Sequence, residues 1–328
     1  MINKLKQIWQ SITELPFLRE FIGWTKRYSL PGFAGVPIYN IVVFVYNETL
    51  KDNITTRANS IAFSLFIALF PFIIFLFTLI PYLNDMLPGM VNPIELLREN
   101  LEAVLPNNAN NYLLNIIEGV VSIQREGLLS FGFALAVFFA SSGVLTMMYG
   151  FDKTYKKTFK SRSYLRMRFV ALNLTILLGL LFIFSFVLLI VGPTIMTFLD
   201  GIFDLGANWL FIIKLLRYLT GIMLVYTGIT VIYRYGPSMH HRIPFINPGA
   251  MLATLLSIIT SVGFSYFVNN FGRYNELYGS IGALIVIMLW LQFNAFVILI
   301  GYELDASIAV NRDLLLEETS EPDSFLEV

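Results

Sequence analysis

The segment that most constrains this chain runs from Gly279 to Tyr302, 24 residues without a formal charge. At about 1.5 Å of rise per residue, a helix of that length crosses a hydrocarbon core about 30 Å thick with some tilt. Gln292 and Asn294 interrupt it deep inside, and Glu303 and Asp305 close it. Two amides at mid-depth place such a helix in a bundle, where neighbours take up their hydrogen bonds. Five further apolar stretches, 58–83, 128–149, 169–191, 210–233 and 248–268, join 279–304 to give six predicted spans. Composition agrees: 56% of the residues are hydrophobic and 13% are charged, against about a quarter charged in soluble domains. The predicted fold is an all-α polytopic membrane protein.

Charge gives the orientation. Of the 22 Lys and Arg, 17 lie on the alternate segments that share a side with the N-terminus, and 3 lie on the other side. The positive-inside rule then puts both termini in the cytoplasm. The densest run is Lys153, Lys156, Lys157, Lys160, Arg162, Arg166 and Arg168, which sets topology and meets anionic lipid headgroups. Residues 1–56 read as amphipathic helices at the cytoplasmic face, with Trp9, Trp24, Lys26 and Arg27 suited to an interface. Residues 57–306 form the membrane domain, and 307–328 an acidic cytoplasmic tail, expected to fray after Arg312. Between the first two spans, residues 84–127 carry six acids and only Arg98 and Arg125, and read as a helical hairpin outside the membrane.

Several function classes drop out. The chain has no cysteine, hence no disulfide, thiolate metal site or cysteine nucleophile. Its two histidines, His240 and His241, are adjacent in one loop with no third ligand nearby, so neither a metal nor another cofactor is expected. Net charge is zero, and the basic run lacks a folded domain with stacking platforms, so no nucleic-acid partner is expected.

The remaining polar residues of the spans each carry two readings. Lys214 and Arg217 share a helix face near the outer interface. They either snorkel to headgroups or form a basic pocket for an anionic head. Thr254, Ser257, Ser261 and Ser265 line one face of the fifth span, as helix-to-helix glue or as the wall of a hydrated cavity facing Gln292 or Asn294. Those two amides stand about 200° apart on their helix and cannot share one narrow site. Glu303 and Asp305 end a helix where the dipole disfavours anions. Arg57 and Arg234, at the same predicted depth, are the cations available for a charge latch across the cytoplasmic ends.

Several stretches taken in order resemble the YihY/BrkB family of bacterial inner-membrane proteins, once labelled ribonuclease BN. They are Arg57-Ala-Asn-Ser-Ile-Ala-Phe63 with Pro71, Tyr233 to Pro237, and Asn247-Pro248-Gly249-Ala250. Phe271-Gly-Arg-Tyr-Asn275, Tyr278-Gly-Ser-Ile-Gly-Ala283 and Gly301-Tyr-Glu-Leu-Asp305 complete the set. The resemblance covers roughly residues 35–310. It implies a six-helix protein of the bacterial inner membrane with links to surface resistance and lipid-related envelope phenotypes, and supplies no catalytic set. Zinc-dependent RNA cleavage needs several His and Asp ligands that this chain does not offer. Two expectations follow for a non-enzymatic protein. The first is export or flipping of an amphipathic or anionic envelope molecule such as a lipid. The second is a scaffold that recruits envelope-assembly proteins through the 84–127 hairpin. Oligomeric state is left open.

Overall fold

The structure, a computed structural model, describes residues 16–51, 53–86, 126–152, 155–203, 207–270 and 272–320. Among these residues the chain is helical, with one isolated β-bridge. Two short helices come first, α1 (Pro16–Arg27) and α2 (Ile38–Lys51). Six long ones follow: α3 (Ile54–Met86), α4 (Glu126–Phe151), α5 (Tyr164–Phe203), α6 (Ala207–Tyr235), α7 (Pro248–Asn270) and α8 (Gly272–Ser320). Each of the six is long and apolar enough to cross a membrane. The N-terminal 15 residues and nearly all of the expected hairpin 84–127 lie outside the described residues.

The helices extend past the boundaries read from hydropathy, and two extensions correct that reading. The third span was expected to end at Gly192-Pro193, yet α5 continues to Phe203. A proline inside a membrane helix is tolerated when neighbours satisfy the carbonyl it frees. The tail, expected to fray after Arg312, is helical to Ser320, and before that point Ser307, Ile308, Ala309 and Val310 are buried. It stays helical because α2 covers it: Ile41, Val36 and Phe33 pack with Ile308, and the Ser307 hydroxyl donates to the Ile41 carbonyl at 3.4 Å. The turn between α1 and α2 uses left-handed backbone at Gly32 (φ 91°), Ala34 (φ 51°) and Gly35 (φ 81°). Glycine takes that conformation without a side-chain penalty.

The main helix contacts run α3–α4–α5–α6–α7–α8 and back to α3, so the six spans form a closed ring. The tightest pair is α3 with α4. Gly143 lies directly under Leu65, where a Cβ would come within 2.6 Å of a Leu65 methyl, and Ser64 and Thr146 hydroxyls sit 3.2 Å apart. Further along, Gly132 faces the backbone of Phe75, whose ring lies 5.3 Å from that of Phe133. Small residues let the two backbones approach where lipid gives no hydrophobic reason to associate. We predict that Gly143→Ile lowers stability by about 1–3 kcal/mol through overpacking. Leu65→Ala in the same chain should restore part of the loss, measured as the unfolding midpoint in a mild detergent.

Candidate functional site

Lys and Arg gather at one end of the ring, called here the basic end, and so does the buried core. Phe151 of α4, Tyr233 of α6 and Tyr302 of α8 are fully buried there. The Phe151 ring centre lies 4.1 Å from Tyr302 and 5.9 Å from Tyr233, and the two tyrosines are 5.7 Å apart. The Tyr233 hydroxyl donates to the Ile298 carbonyl at 2.5 Å.

Two glycines bring α7 and α8 together at this end. A Cβ on Gly301 would stand 2.6 Å from Ala253 Cβ, from the Gly249 carbonyl and from the Tyr233 hydroxyl. A Cβ on Gly249 would collide with the Gly301 carbonyl and come within 2.5 Å of the Asp305 carboxyl carbon. That proximity gives Asp305 its partner: Oδ1 accepts the Gly249 backbone N–H at 2.8 Å, in the first turn of α7. Asn247 caps the same helix, its side-chain oxygen accepting the Ala250 N–H at 2.7 Å, while its amide donates to the Pro244 carbonyl at 3.0 Å. An anion at a helix N-terminus answers both its free N–H groups and its dipole.

The four residues expected to form a charge latch therefore separate. Arg57 and Glu303 meet at 3.2 Å, and Arg57 also donates to the Gly150 carbonyl at 2.8 Å, joining α3, α4 and α8. Asp305 takes backbone N–H in place of a guanidinium. Arg234 donates to the Ile243 carbonyl at 2.6 Å and lies 4.7 Å from the centre of the Phe245 ring. The Tyr302 hydroxyl and Asp305 Oδ2 are buried without a hydrogen-bond partner among the described residues.

The connections at this end cross the ring and close it. Arg162 donates to the carbonyls of Gly236 at 3.1 Å and Pro237 at 3.0 Å, capping the C-terminus of α6. Burial lowers its pKa, the nearby Asp152 opposes that, and Arg242 and Arg166 lower it further. The Phe159–Met239 bridge stitches the α4–α5 connection to the α6–α7 linker, with the Lys160 N–H on the Ser238 carbonyl at 2.7 Å. Thr158 reaches Asp313 of α8 at 2.8 Å.

Away from the basic end the α6–α7 seam opens. Along α6, Ile229 is buried, Tyr226 is half-buried, and Ile222, Leu219 and Leu215 on the same face are exposed. Along α7, Thr254 and Ser257 are buried, Ser261 is half-buried and Ser265 is exposed. The four hydroxyl residues singled out in the sequence thus run from buried to exposed along α7. Thr254 turns its hydroxyl to its own helix, donating to the Ala250 carbonyl at 2.7 Å. Gln292 and Asn294 are elsewhere: Gln292 donates to Asn59 on the α8–α3 seam at 2.7 Å, and Asn294 to the Trp290 carbonyl at 2.9 Å. Arg217 is half-buried, on the side of α6 opposite Leu215 and Leu219, and the side chain of Lys214 lies outside the described residues.

Sequence reasoning did not find the Gly249–Gly301 approach or the role of the α7 N-terminus. The signal was present in Asn247-Pro248-Gly249, a cap, a first-turn proline and a glycine in succession. We predict that Arg57→Gln alone costs about 3 kcal/mol and Glu303→Gln alone somewhat less, since each breaks an ion pair whose carboxylate is fully buried and whose guanidinium is 19% exposed. The double variant should cost less than either, a sign that a thermal-unfolding cycle reads directly.

Comparison with known proteins gives a consistent set. The family model described as Virulence factor BrkB matches residues 45–324. The ribonuclease-like protein YfkH of Bacillus subtilis (strain 168) is 26% identical over 259 residues, 79% of this chain and 91% of that protein. A UPF0761 membrane protein of Tolumonas auensis is 32% identical over 106 residues, 31% of this chain but only 34% of its own length. One from Xanthomonas campestris pv. campestris is 34% identical over 84 residues, 26% of this chain and 20% of its own length. No solved structure matches the chain.

Proposed function

We propose, for a chain that belongs to the virulence factor BrkB family and crosses a membrane six times, that it moves an amphipathic, anionic molecule of the envelope along its α6–α7 seam. The observation that carries this reading is the change of exposure along that seam, from Ile229 and Thr254 to Leu215 and Ser265. One wall is alkyl and the other bears hydroxyls. A molecule with both an apolar and a polar part suits such walls, as a lipid does. Arg217, at that depth but on the opposite side of α6, draws anionic headgroups to the helix and does not line the seam. The sealed basic end is the closed side of an alternating path. In this reading the basic end faces the cytoplasm of a bacterial inner membrane, with both termini there, and Lys156, Lys157 and Lys160 rest on anionic headgroups. The chain carries no nucleotide-binding motif, so movement draws on a gradient, a partner or the lipid's own distribution. Among the described residues no three His, Asp or Glu converge as metal ligands do. His240 and His241 are exposed on the α6–α7 linker, and this reading assigns no hydrolytic step.

The absence of cysteine makes the test direct. Single cysteines at Leu219 and Ser265 should react with a bilayer-soluble maleimide, and one at Thr254 should not. In reconstituted vesicles the wild type should speed translocation of a fluorescent anionic phospholipid, and Ser261→Trp with Ser265→Trp should return it to the protein-free rate. A wild type no faster than empty vesicles sinks the transport reading and leaves the scaffold.

A further inference from the structure

By its place in the chain Arg168 closes the basic run 153–168, but its guanidinium is not with that run. One nitrogen donates to the Ser142 hydroxyl at 3.0 Å and another to the Phe138 carbonyl at 3.3 Å. The group lies 4.6 Å from the centre of the Phe138 ring. Ser142 and Phe138 are inside the α4 membrane span, and Arg168 is inside the α5 span. The exposed rings of Tyr149 and Tyr164 mark the rim of these two helices at the basic end. From that rim Arg168 is one turn down α5, about 6 Å, while Ser142 and Phe138 are about 10 Å and 16 Å down α4. The side chain therefore points away from the headgroups, the reverse of snorkelling.

A cation there is costly unless something neutralises it. Among the described residues no carboxylate meets Arg168. Its two acceptors are neutral, and one is shared, because the Ser141 and Ser142 hydroxyls also donate to the Phe138 carbonyl, at 2.8 and 3.0 Å. A guanidinium has five N–H donors, so most are left for another acceptor. The surface around it is apolar and open: Phe138 is 54% and Leu165 69% exposed. An unneutralised arginine on an apolar, membrane-facing surface asks for an anion that carries its own hydrocarbon.

We propose that Arg168, held by Ser142 and Phe138, binds the phosphate of an anionic phospholipid on the outer surface of the α4–α5 seam. The flat guanidinium fork matches two phosphate oxygens. The acyl chains lie along Leu165 and its neighbours, and the headgroup is drawn below the level of bulk lipid. This site is on a different seam from the α6–α7 opening and does not depend on transport through it.

The test uses the whole chain in nanodiscs of phosphatidylcholine with a minor fraction of phosphatidylglycerol of the same acyl chains, reading retained lipid by native mass spectrometry. The wild type should enrich phosphatidylglycerol over its bulk fraction, and Arg168→Gln should cut that enrichment about tenfold. Ser142→Ala, which keeps the charge, should cut it roughly twofold. Arg312→Gln, which removes a cation paired with Asp313 on α8, should leave it unchanged. No enrichment in the wild type overturns the proposal without reference to any variant, so a poorly folding Arg168→Gln does not shield it. Enrichment that survives Arg168→Gln, or that falls equally in Arg312→Gln, also overturns it. Displacement of the lipid by millimolar inorganic phosphate would make this a site for free phosphate, which overturns it too.

Discussion

The basic end depends on how α7 begins. A helix that starts inside a bundle exposes backbone N–H groups that no water reaches, and leaving them unmet is expensive. Asn247 meets one from within the chain, and Asp305 meets another from across the α7–α8 interface. The second contact exists only because Gly249 and Gly301 let the backbones come close enough. With α8 fixed against α7, Glu303 is placed to take Arg57 from α3, and Tyr302 to stack with Phe151 of α4 and Tyr233 of α6. The ring is thereby pinned at one level of the membrane by polar and aromatic contacts from five of its six helices.

The opening of the α6–α7 seam follows from the same economy. Lipid tails are as apolar as leucine, so helices in a bilayer are held by close packing and polar contacts, and separate where both run out. At the linker, Tyr226 donates to the Phe245 carbonyl at 2.8 Å, and Asn247 binds back to the linker. Beyond Ser257, Leu215, Leu219 and Ile222 of α6 and Ser265 of α7 stand exposed, and a Cβ on Gly221 or Gly263 would meet nothing within 4 Å. The α3–α4 pair is the contrast: Gly143 and Gly132 keep it tight far from the basic end.

Much of the fold was legible because six long apolar runs leave a helix no alternative in lipid. The ends were less so. Where α8 leaves the apolar layer its sequence turns polar, and hydropathy stops at a point the helix ignores because α2 covers Ile308. The polar contacts were legible in part. Glu303 and Asp305 were read as anions in need of cations, and a search among side chains overlooks backbone N–H groups, which sequence does not display as donors. Arg57 and Arg234 were offered together to Glu303 and Asp305 for that reason, while the structure gives Asp305 a helix start and Arg234 a carbonyl. The serine stripe was visible at its spacing of three and four. Which part of it is closed and which is open depends on the divergence of two helices, and no local pattern encodes that.

Arg168 shows the same rule from its unsatisfied side. Every buried or membrane-embedded polar group must find a partner, and most of those at the basic end find one in the protein: Glu303 in Arg57, Asp305 in Gly249, Arg162 in the end of α6. Arg168 finds two neutral acceptors and no anion among the described residues, although its position in the chain would let a long side chain reach the headgroup level. A side chain that turns inward toward Ser142 and Phe138 gives up hydration for contacts too weak to replace it. The solvent on that side of α4 is lipid. What completes the charge balance must then come from the bilayer itself, which offers phosphate with hydrocarbon attached.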